Sequence, residues 1–287
     1  MANRTPKLFD VSARTKLRIG GSDRARYLNG QITNDVRKAT GDRAIYATIL
    51  NTKGRIDADL FIRATEDAFL VDADEALREE LPVRLERYVI ADDVTIDDVT
   101  DNYALFHLID ANQVSGVANQ RFGCPGIDLW IEGSEREKVL RELMPTAASY
   151  DGARAETFRI ENGVPRWGHE LSQDIIPVEA NLESSAIDYA KGCYIGQEVI
   201  SRMKMSGQTN KRLRGLVSID DTPLRTGTRL FPAGDATRDV GWITSATRSD
   251  KLQRQIGLAF VKRGYNDAGT SLLADGRKVE VVELPFV

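Results

Sequence analysis

A chain of 287 residues with a formal net charge of −4 is longer than a typical domain of roughly 100–200 residues, so two or more packed units are expected. The mildly negative balance argues against a broad nucleic-acid footprint, which rests on neutralising many phosphates. No uncharged stretch reaches the roughly 20 residues of a membrane span, so membrane insertion is not expected.

The opening Met1-Ala2-Asn3-Arg4-Thr5-Pro6-Lys7 is basic, but Leu8-Phe9-Asp10 brings a carboxylate where a signal peptide would continue its apolar core, so no export signal is expected. Leu17-Arg18-Ile19 reads as a strand, Gly20-Gly21 as a turn, and Ser22 or Asp23 as the cap of a helix carrying Tyr27, Leu28 and Ile32. Residues 44–50 are again strand-like. Alternation through Ile56, Ala58, Leu60 and Ile62 predicts a half-buried strand with Asp57 and Asp59 on its other face, and residues 68–71 return beside it as a hairpin. Helical periodicity over 75–89 is interrupted by Pro82, and 94–99, 103–109 and 127–131 are strand candidates. Ser134 and Glu137 form a capping box ahead of Val139, Leu140 and Leu143, and 153–160 predicts one more helix.

From Leu213 the texture changes to short apolar runs split by Gly, Pro and Asp: 216–217, 229–231, 242–243, 256–261, 272–273 and 279–284. Regular short strands with turn signals point to a small β-barrel or sandwich. The expectation is an α+β region over 1–206 and an all-β region over 207–287, with the boundary near 207–212. Cys124 and Cys193 are the only cysteines, far apart and outside any paired metal spacing. Neither a disulfide scaffold nor a metal site is expected, and reducing cytoplasm is the simplest compartment.

The densest chemistry lies in Lys191-Gly192-Cys193-Tyr194-Ile195-Gly196-Gln197-Glu198. A thiol stands beside an ammonium, between two glycines that permit close backbone approach. Lys191 can favour a thiolate at Cys193, or Cys193 is a small buried hydrophobe in a shaped turn. This octapeptide resembles the signature of YgfZ-like proteins, relatives of the glycine-cleavage T-protein in the YgfZ/GcvT family. Further similarity runs through Tyr27-Leu28-Asn29-Gly30-Gln31-Ile32-Thr33-Asn34-Asp35, Leu50-Asn51-Thr52-Lys53-Gly54-Arg55, Arg159-Ile160-Glu161-Asn162-Gly163-Val164-Pro165, Gly241-Trp242-Ile243-Thr244-Ser245 and Leu284-Pro285-Phe286.

The resemblance implies a GcvT-like cloverleaf of α/β subdomains around a central folate channel. Two subdomains would intertwine within 1–206, and a C-terminal β-barrel would follow. It implies a cofactor, tetrahydrofolate in mono- or polyglutamyl form. Glu161 is the implied pterin contact, because one carboxylate can accept adjacent ring N–H and amine donors; read without the family it is a helix-surface acid pairing with Arg159 or Arg166. Asn34, Asp35, Lys191, Tyr194 and Gln197 are implied as further folate contacts, although turn or cap roles for Asn34 and Asp35 and a core role for Tyr194 fit equally well. Asp57 and Asp59 stand where T-proteins carry an adjacent acidic pair facing the reactive edge of the folate, and Ala58 replaces its first member.

Cys193, Asp59 and Asp57 are thus the candidate catalytic residues. His107 reads as structural, and His169 has no identifiable partner. Arg202, Lys204, Lys211, Arg212 and Arg214 form a basic cluster, either a solvated loop or a contact for polyglutamate carboxylates. By resemblance the function is that of a tetrahydrofolate-binding accessory protein supporting iron–sulfur enzymes, with such enzymes or their assembly factors as partners. The alternatives are a tetrahydrofolate-dependent aminomethyltransferase or demethylase, disfavoured by the missing acidic pair, and a binding protein without folate.

Overall fold

In a computed structural model that describes residues 5–111 and 114–287, the chain divides into two compact units. The first comprises Met1–Asp151 with Glu183–Val199, and the second Gly152–Leu182 with Ile200–Val287. Residues 1–4 of the opening segment, Arg4 included, lie outside the described residues.

Within the first unit the chain runs β1 (Lys7–Asp10), β2 (Thr15–Gly20), α1 (Arg24–Gln31), β3 (Ile45–Leu50), β4 (Ile56–Ala64), β5 (Phe69–Ala73), α2 (Glu80–Glu86), β6 (Thr95–Asp98), β7 (Tyr103–Ile109), β8 (Val117–Asn119), β9 (Gly126–Glu132), α3 (Arg136–Leu143) and β10 (Ala148–Ser149). Two five-stranded sheets result, ordered β10-β1-β7-β9-β8 and β3-β4-β5-β2-β6. The β3–β4–β5 meander pairs as the alternation predicts, with Tyr46 opposite Phe61, Thr48 opposite Asp59 and Phe61 opposite Asp72. Its strand β4 is covered on both faces, not one: Ala58 and Leu60 are buried on one side, Asp59 and Phe61 on the other.

Local signals misplace some details. Residues 75–89 split into a 3₁₀ turn at Glu75–Leu77 and α2, and Pro82 sits in the first turn of α2, where a missing N–H removes no helical hydrogen bond. The capping box does not form. A 3₁₀ turn, Gly133–Glu135, leads into α3, and its N-cap Glu135 makes no side-chain capping bond. Asp23 is the N-cap of α1, but its carboxylate accepts instead from the Asp93 backbone N–H at 2.9 Å. Ile32 lies just beyond α1 and bridges Ile49. Strands β1, β8 and β10 are not among the strand candidates, and β8 and β10, at three and two residues, are too short for alternation to show.

The second unit holds α4 (Gly152–Glu161), a 3₁₀ turn at Pro177–Ala180, and most of α5 (Gln197–Ser206), which crosses the division. It is completed by β11 (Lys211–Ser218), β12 (Arg229–Pro232), β13 (Gly241–Ser249), β14 (Arg254–Lys262), β15 (Ser271–Ala274) and β16 (Arg277–Val282). These six strands close into a barrel ordered β11-β14-β13-β12-β15-β16. Inward-facing Leu216, Leu230, Ile243, Ala259, Val261, Leu272, Val279 and Val281 fill it, which is why alternation in short runs was a sufficient signal. Of residues 207–212, positions 207–210 link α5 to the barrel, and Lys211 and Arg212 open its first strand, β11.

Arg159 ties α4 to the barrel. Its guanidinium donates to Glu156 at 2.6 Å, to Glu170 at 3.0 Å and to the Ser245 hydroxyl at 2.7 Å, and the Ser245 hydroxyl donates in turn to Glu170 at 2.7 Å. Among the described residues, no helix is long and apolar enough to cross a membrane.

Strand β13 has no room for a side chain at Gly241, where a Cβ would stand 2.2 Å from the Phe260 carbonyl oxygen of β14. Backbone on one side leaves no soft neighbour to yield. Gly241→Ala is expected to destabilise the protein by about 1–3 kcal/mol, read as a lower denaturant midpoint with near-native circular dichroism before unfolding.

Candidate functional site

The Lys191–Glu198 segment is held by backbone contacts to α1 and the residues that follow it. Lys191 is 7% exposed, and its Nζ donates to the carbonyls of Asn29 at 2.5 Å, Ile32 at 2.6 Å and Asn34 at 2.8 Å. An ammonium has three N–H donors, so these bonds use all of them. Burial lowers the Lys191 pKa to about 8, with Asp35 and Asp188 opposing the shift. Nζ also stands 5.1 Å from the Tyr194 ring centroid, a cation–π contact that helps place that buried ring.

Gly196 adopts φ +82°, and a Cβ there would sit 2.7 Å from the Asn51 carbonyl oxygen, so glycine alone fits. Gln197 begins α5, its backbone N–H donating to the Tyr194 carbonyl at 3.2 Å. Cys193 is exposed. The ammonium expected to favour a thiolate is therefore committed to backbone carbonyls, and the expectation of Cys193 as a buried hydrophobe is also overturned.

Asn34 and Asp35 join the same assembly as turn residues. The Asn34 side chain donates to the Tyr46 carbonyl at 2.9 Å and accepts from the Asp35 N–H at 2.8 Å. Asp35 caps the 3₁₀ turn Val36–Lys38, accepting from the Arg37 N–H at 3.0 Å and from the Arg37 guanidinium at 2.6 Å. The bond from Arg37 holds its carboxyl down at about 2.

Asp57 and Asp59 share one face of β4 and meet different fates. Asp57 accepts from Arg84 Nε at 2.8 Å, and Arg84 also donates to the Leu50 carbonyl at 2.9 Å and the Gln31 side chain at 3.3 Å. Asp59 is 6% exposed. Its Oδ2 accepts from the Tyr46 hydroxyl at 3.2 Å, while its buried Oδ1 has no hydrogen-bond partner among the described residues. Burial pushes the Asp59 carboxyl up from the ordinary carboxylate range, with the Arg14 charge and the Tyr46 hydrogen bond opposing. Burial likewise raises Tyr46, so the phenol stays a donor. A buried acid with a free acceptor oxygen and a neutral phenol at its back can accept an N–H from a ligand or exchange a proton with it.

Sequence reasoning did not single out Tyr46. The available signal was phase: Tyr46 and Asp59 lie on adjacent hairpin strands with side chains on one face.

Glu161 lies in the second unit, at the last residue of α4. It is 4% exposed, not a surface acid. It pairs with neither Arg159 nor Arg166: Oε1 accepts from the buried Ser249 hydroxyl at 2.6 Å, and Oε2 pairs with Lys251 at 3.2 Å. The basic cluster is largely occupied within its own unit. Lys211 pairs with Glu179 at 3.3 Å, Arg212 donates to Asn181 at 2.7 Å and Arg214 to Glu283 at 2.6 Å. His107 is fully buried, with Nδ1 2.7 Å from Asp128. His169 contacts Arg166 through Nε2. Among the described residues no group of His, Cys, Asp and Glu is arranged to hold a metal ion.

A mixed α/β arrangement ending in a six-stranded barrel defines a GcvT-like class of protein. The chain matches the GCVT N-terminal domain over residues 2–111 and the glycine cleavage T-protein C-terminal barrel domain over residues 211–287. Similar proteins include the aminomethyltransferases of Halalkalibacterium halodurans, 27% identical, and Bacillus subtilis, 26% identical, covering 97% of this chain and 86% and 87% of those proteins respectively. The crystal structure of glycine cleavage system aminomethyltransferase T from Bartonella henselae shares the fold at a TM-score of 0.86 and 19% identity, covering 99% of this chain and 87% of that one. The chain belongs to the GcvT family.

Two outcomes follow from these geometries. Because the folded-state pKa of Asp59 is raised, its contribution to stability is full below the ordinary carboxylate pKa and is lost as pH rises through the folded value. Asp59→Asn removes that loss, so its stability relative to wild type is expected to rise as pH is raised above the ordinary carboxylate range in urea unfolding. Lys191→Met strands three carbonyls and is expected to cost about 2–4 kcal/mol, with faster hydrogen exchange at Ile195, whose N–H donates to the Gly30 carbonyl.

Proposed function

We propose that the protein binds a reduced folate and that Asp59 is the carboxyl facing its pterin. The observation that carries this is the unpartnered, buried Oδ1 of Asp59. A pterin offers ring N–H and exocyclic amine donors, and an acceptor oxygen with no other partner is what they need. The Asp35 and Asp57 carboxylates are instead held by Arg37 and Arg84. Within the second unit, taken by itself, the Arg159-x-Glu161 resemblance supports Glu161 as a folate-contact candidate. Ser249 and Lys251 fix its direction, and a carboxylate with about four lone-pair sites keeps acceptors in reserve. Tetrahydrofolate, when bound, would carry the one-carbon unit; the chain's own residues would orient it and hold a proton at Asp59.

The finer reading is a cytoplasmic accessory protein for iron–sulfur enzymes. The signature around Cys193 supports it, with that thiol exposed and available to a partner. The second reading is an aminomethyltransferase, favoured by the names of the relatives and by the retained Asp59. Polyglutamate recognition is proposed for the basic residues of α5 and β11, as far as their pairing within the chain leaves charge to spare.

Anaerobic calorimetric titration with tetrahydrofolate tests the binding. Wild type is expected to bind, and Asp59→Asn to weaken binding at least about tenfold, the size of one hydrogen bond to an ionisable group. No binding by wild type would sink the folate reading. Incubation with aminomethyl-lipoyl carrier protein then separates the two roles, since robust methylene-tetrahydrofolate formation favours the transferase. A polyglutamyl ligand that binds no better than the monoglutamate at low salt removes the tail contact.

A further inference from the structure

We infer that Arg121 is a positioning residue for the Tyr46–Asp59 pair, acting through the Phe61 ring from the crossing of the two sheets of the first unit. This rests on the reading of Asp59 as the ligand-facing carboxyl. Arg121 follows β8, and its side chain is 4% exposed. Its Nη1 and Nη2 donate to the two carboxylate oxygens of Asp72 on β5 at 2.8 and 2.6 Å. Its Nε and Nη2 donate to the two oxygens of Asp128 on β9 at 2.8 and 2.8 Å. A planar guanidinium gripped along two edges has one orientation left to it.

That orientation stacks it on the ring from β4. The Arg121 Cζ lies 4.3 Å from the Phe61 centroid. The Phe61 ring lies 4.7 Å from that of Tyr46, its cross-strand partner. Tyr46 in turn donates to Asp59 at 3.2 Å. Each contact in this series fixes the plane or direction of the next group, ending on the acid. Asp128 is itself oriented by His107 at 2.7 Å and by the Asn119 amide at 2.6 Å.

A second route runs through charge. The groups facing Asp59 are Tyr46 from β3, Arg14 from the turn before β2, and Asp72 and Asp74 from β5 and its exit. Arg14 is pinned to Asp72, the carboxylate that Arg121 also grips. Releasing Arg121 therefore loosens both the ring that supports Tyr46 and the anchor of Arg14, the cation whose charge acts on Asp59.

Arg121→Lys keeps the charge but loses the fork and the plane, and Asp128→Asn loosens Arg121 from the opposite side. In ligand-free protein the infrared carboxyl band of Asp59, identified by its loss in Asp59→Asn, reports the pH at which that acid titrates. Both variants are expected to melt cooperatively and to move this midpoint. Tetrahydrofolate affinity is expected to fall about tenfold in Arg121→Lys, with little further loss when the change is made in Asp59→Asn. An unmoved midpoint in both variants, or affinity losses that multiply independently, would overturn the inference. If Arg121→Lys does not fold, Asp128→Asn decides by the same band. Should wild type bind no folate, the folate reading fails, while the infrared midpoint still tests Arg121.

Discussion

The first unit depends on a buried cation that two sheets share. Arg121 lends its charge to Asp72 on one sheet and to Asp128 on the other, with Arg14 also on Asp72 and His107 on Asp128. Burial pushes the Asp128 carboxyl up, but Arg121 and His107 outweigh it and hold it well below the usual range. Desolvating such a group is costly, and an ion pair of this kind is weak evidence of net stability. Its geometric consequence is firmer. Removing one partner leaves a buried charge uncompensated, at roughly 3–5 kcal/mol, so the sheets have a sharply preferred register against each other. Phe61, Tyr46 and Asp59 inherit that register.

The same physics recurs at the Lys191–Glu198 loop, with backbone carbonyls in place of carboxylates. An ammonium that fills its three N–H directions with carbonyls at the end of α1 and just beyond it fastens two distant stretches of chain without an acid. Lys191, Tyr194 and Gly196 are each accounted for by this packing: a pin, a buried ring on the pin, and a positive φ under the Asn51 carbonyl. Cys193 and its neighbour Gly192 are exposed and take no part in this packing. The thiol is exposed on a segment that the Lys191 bonds hold in place, so solvent reaches it without any change in that packing.

How much of this was legible in the sequence follows from the range of each interaction. Barrel strands and the β3–β4–β5 meander declare themselves through alternation over a few residues, and α4 through its own periodicity. The burial of Asp59 is not local. It arises because a second face covers β4, and one strand's alternation carries no information about what packs on its polar side. Arg121 lies 49 positions from Asp72, so its role emerges only when β5 and β9 are brought together. Glu161 was legible as a special acid by resemblance, yet its partners Ser249 and Lys251, from β13 and the turn after it, were not. The capping box failed for the opposite reason: the motif was local, but a preceding 3₁₀ turn took the position of the cap.

The missing acidic pair deserves a different weight once β4 is in place. Neighbouring strand residues point to opposite faces. Ala58 is 1% exposed, pairs opposite Ile49 and belongs to the apolar face with Ile56, Leu60 and Ile62. An acid there would be buried among hydrocarbon, on the side away from Tyr46 and Asp59. Alanine at 58 therefore leaves the polar face intact: Asp59 keeps its buried carboxyl, its phenol partner and its unpartnered oxygen. What the substitution removes is any acid working from the other face of the strand. The absence of a pair thus speaks against chemistry needing two carboxyls on opposite faces, and leaves single-acid chemistry at Asp59 as open as before.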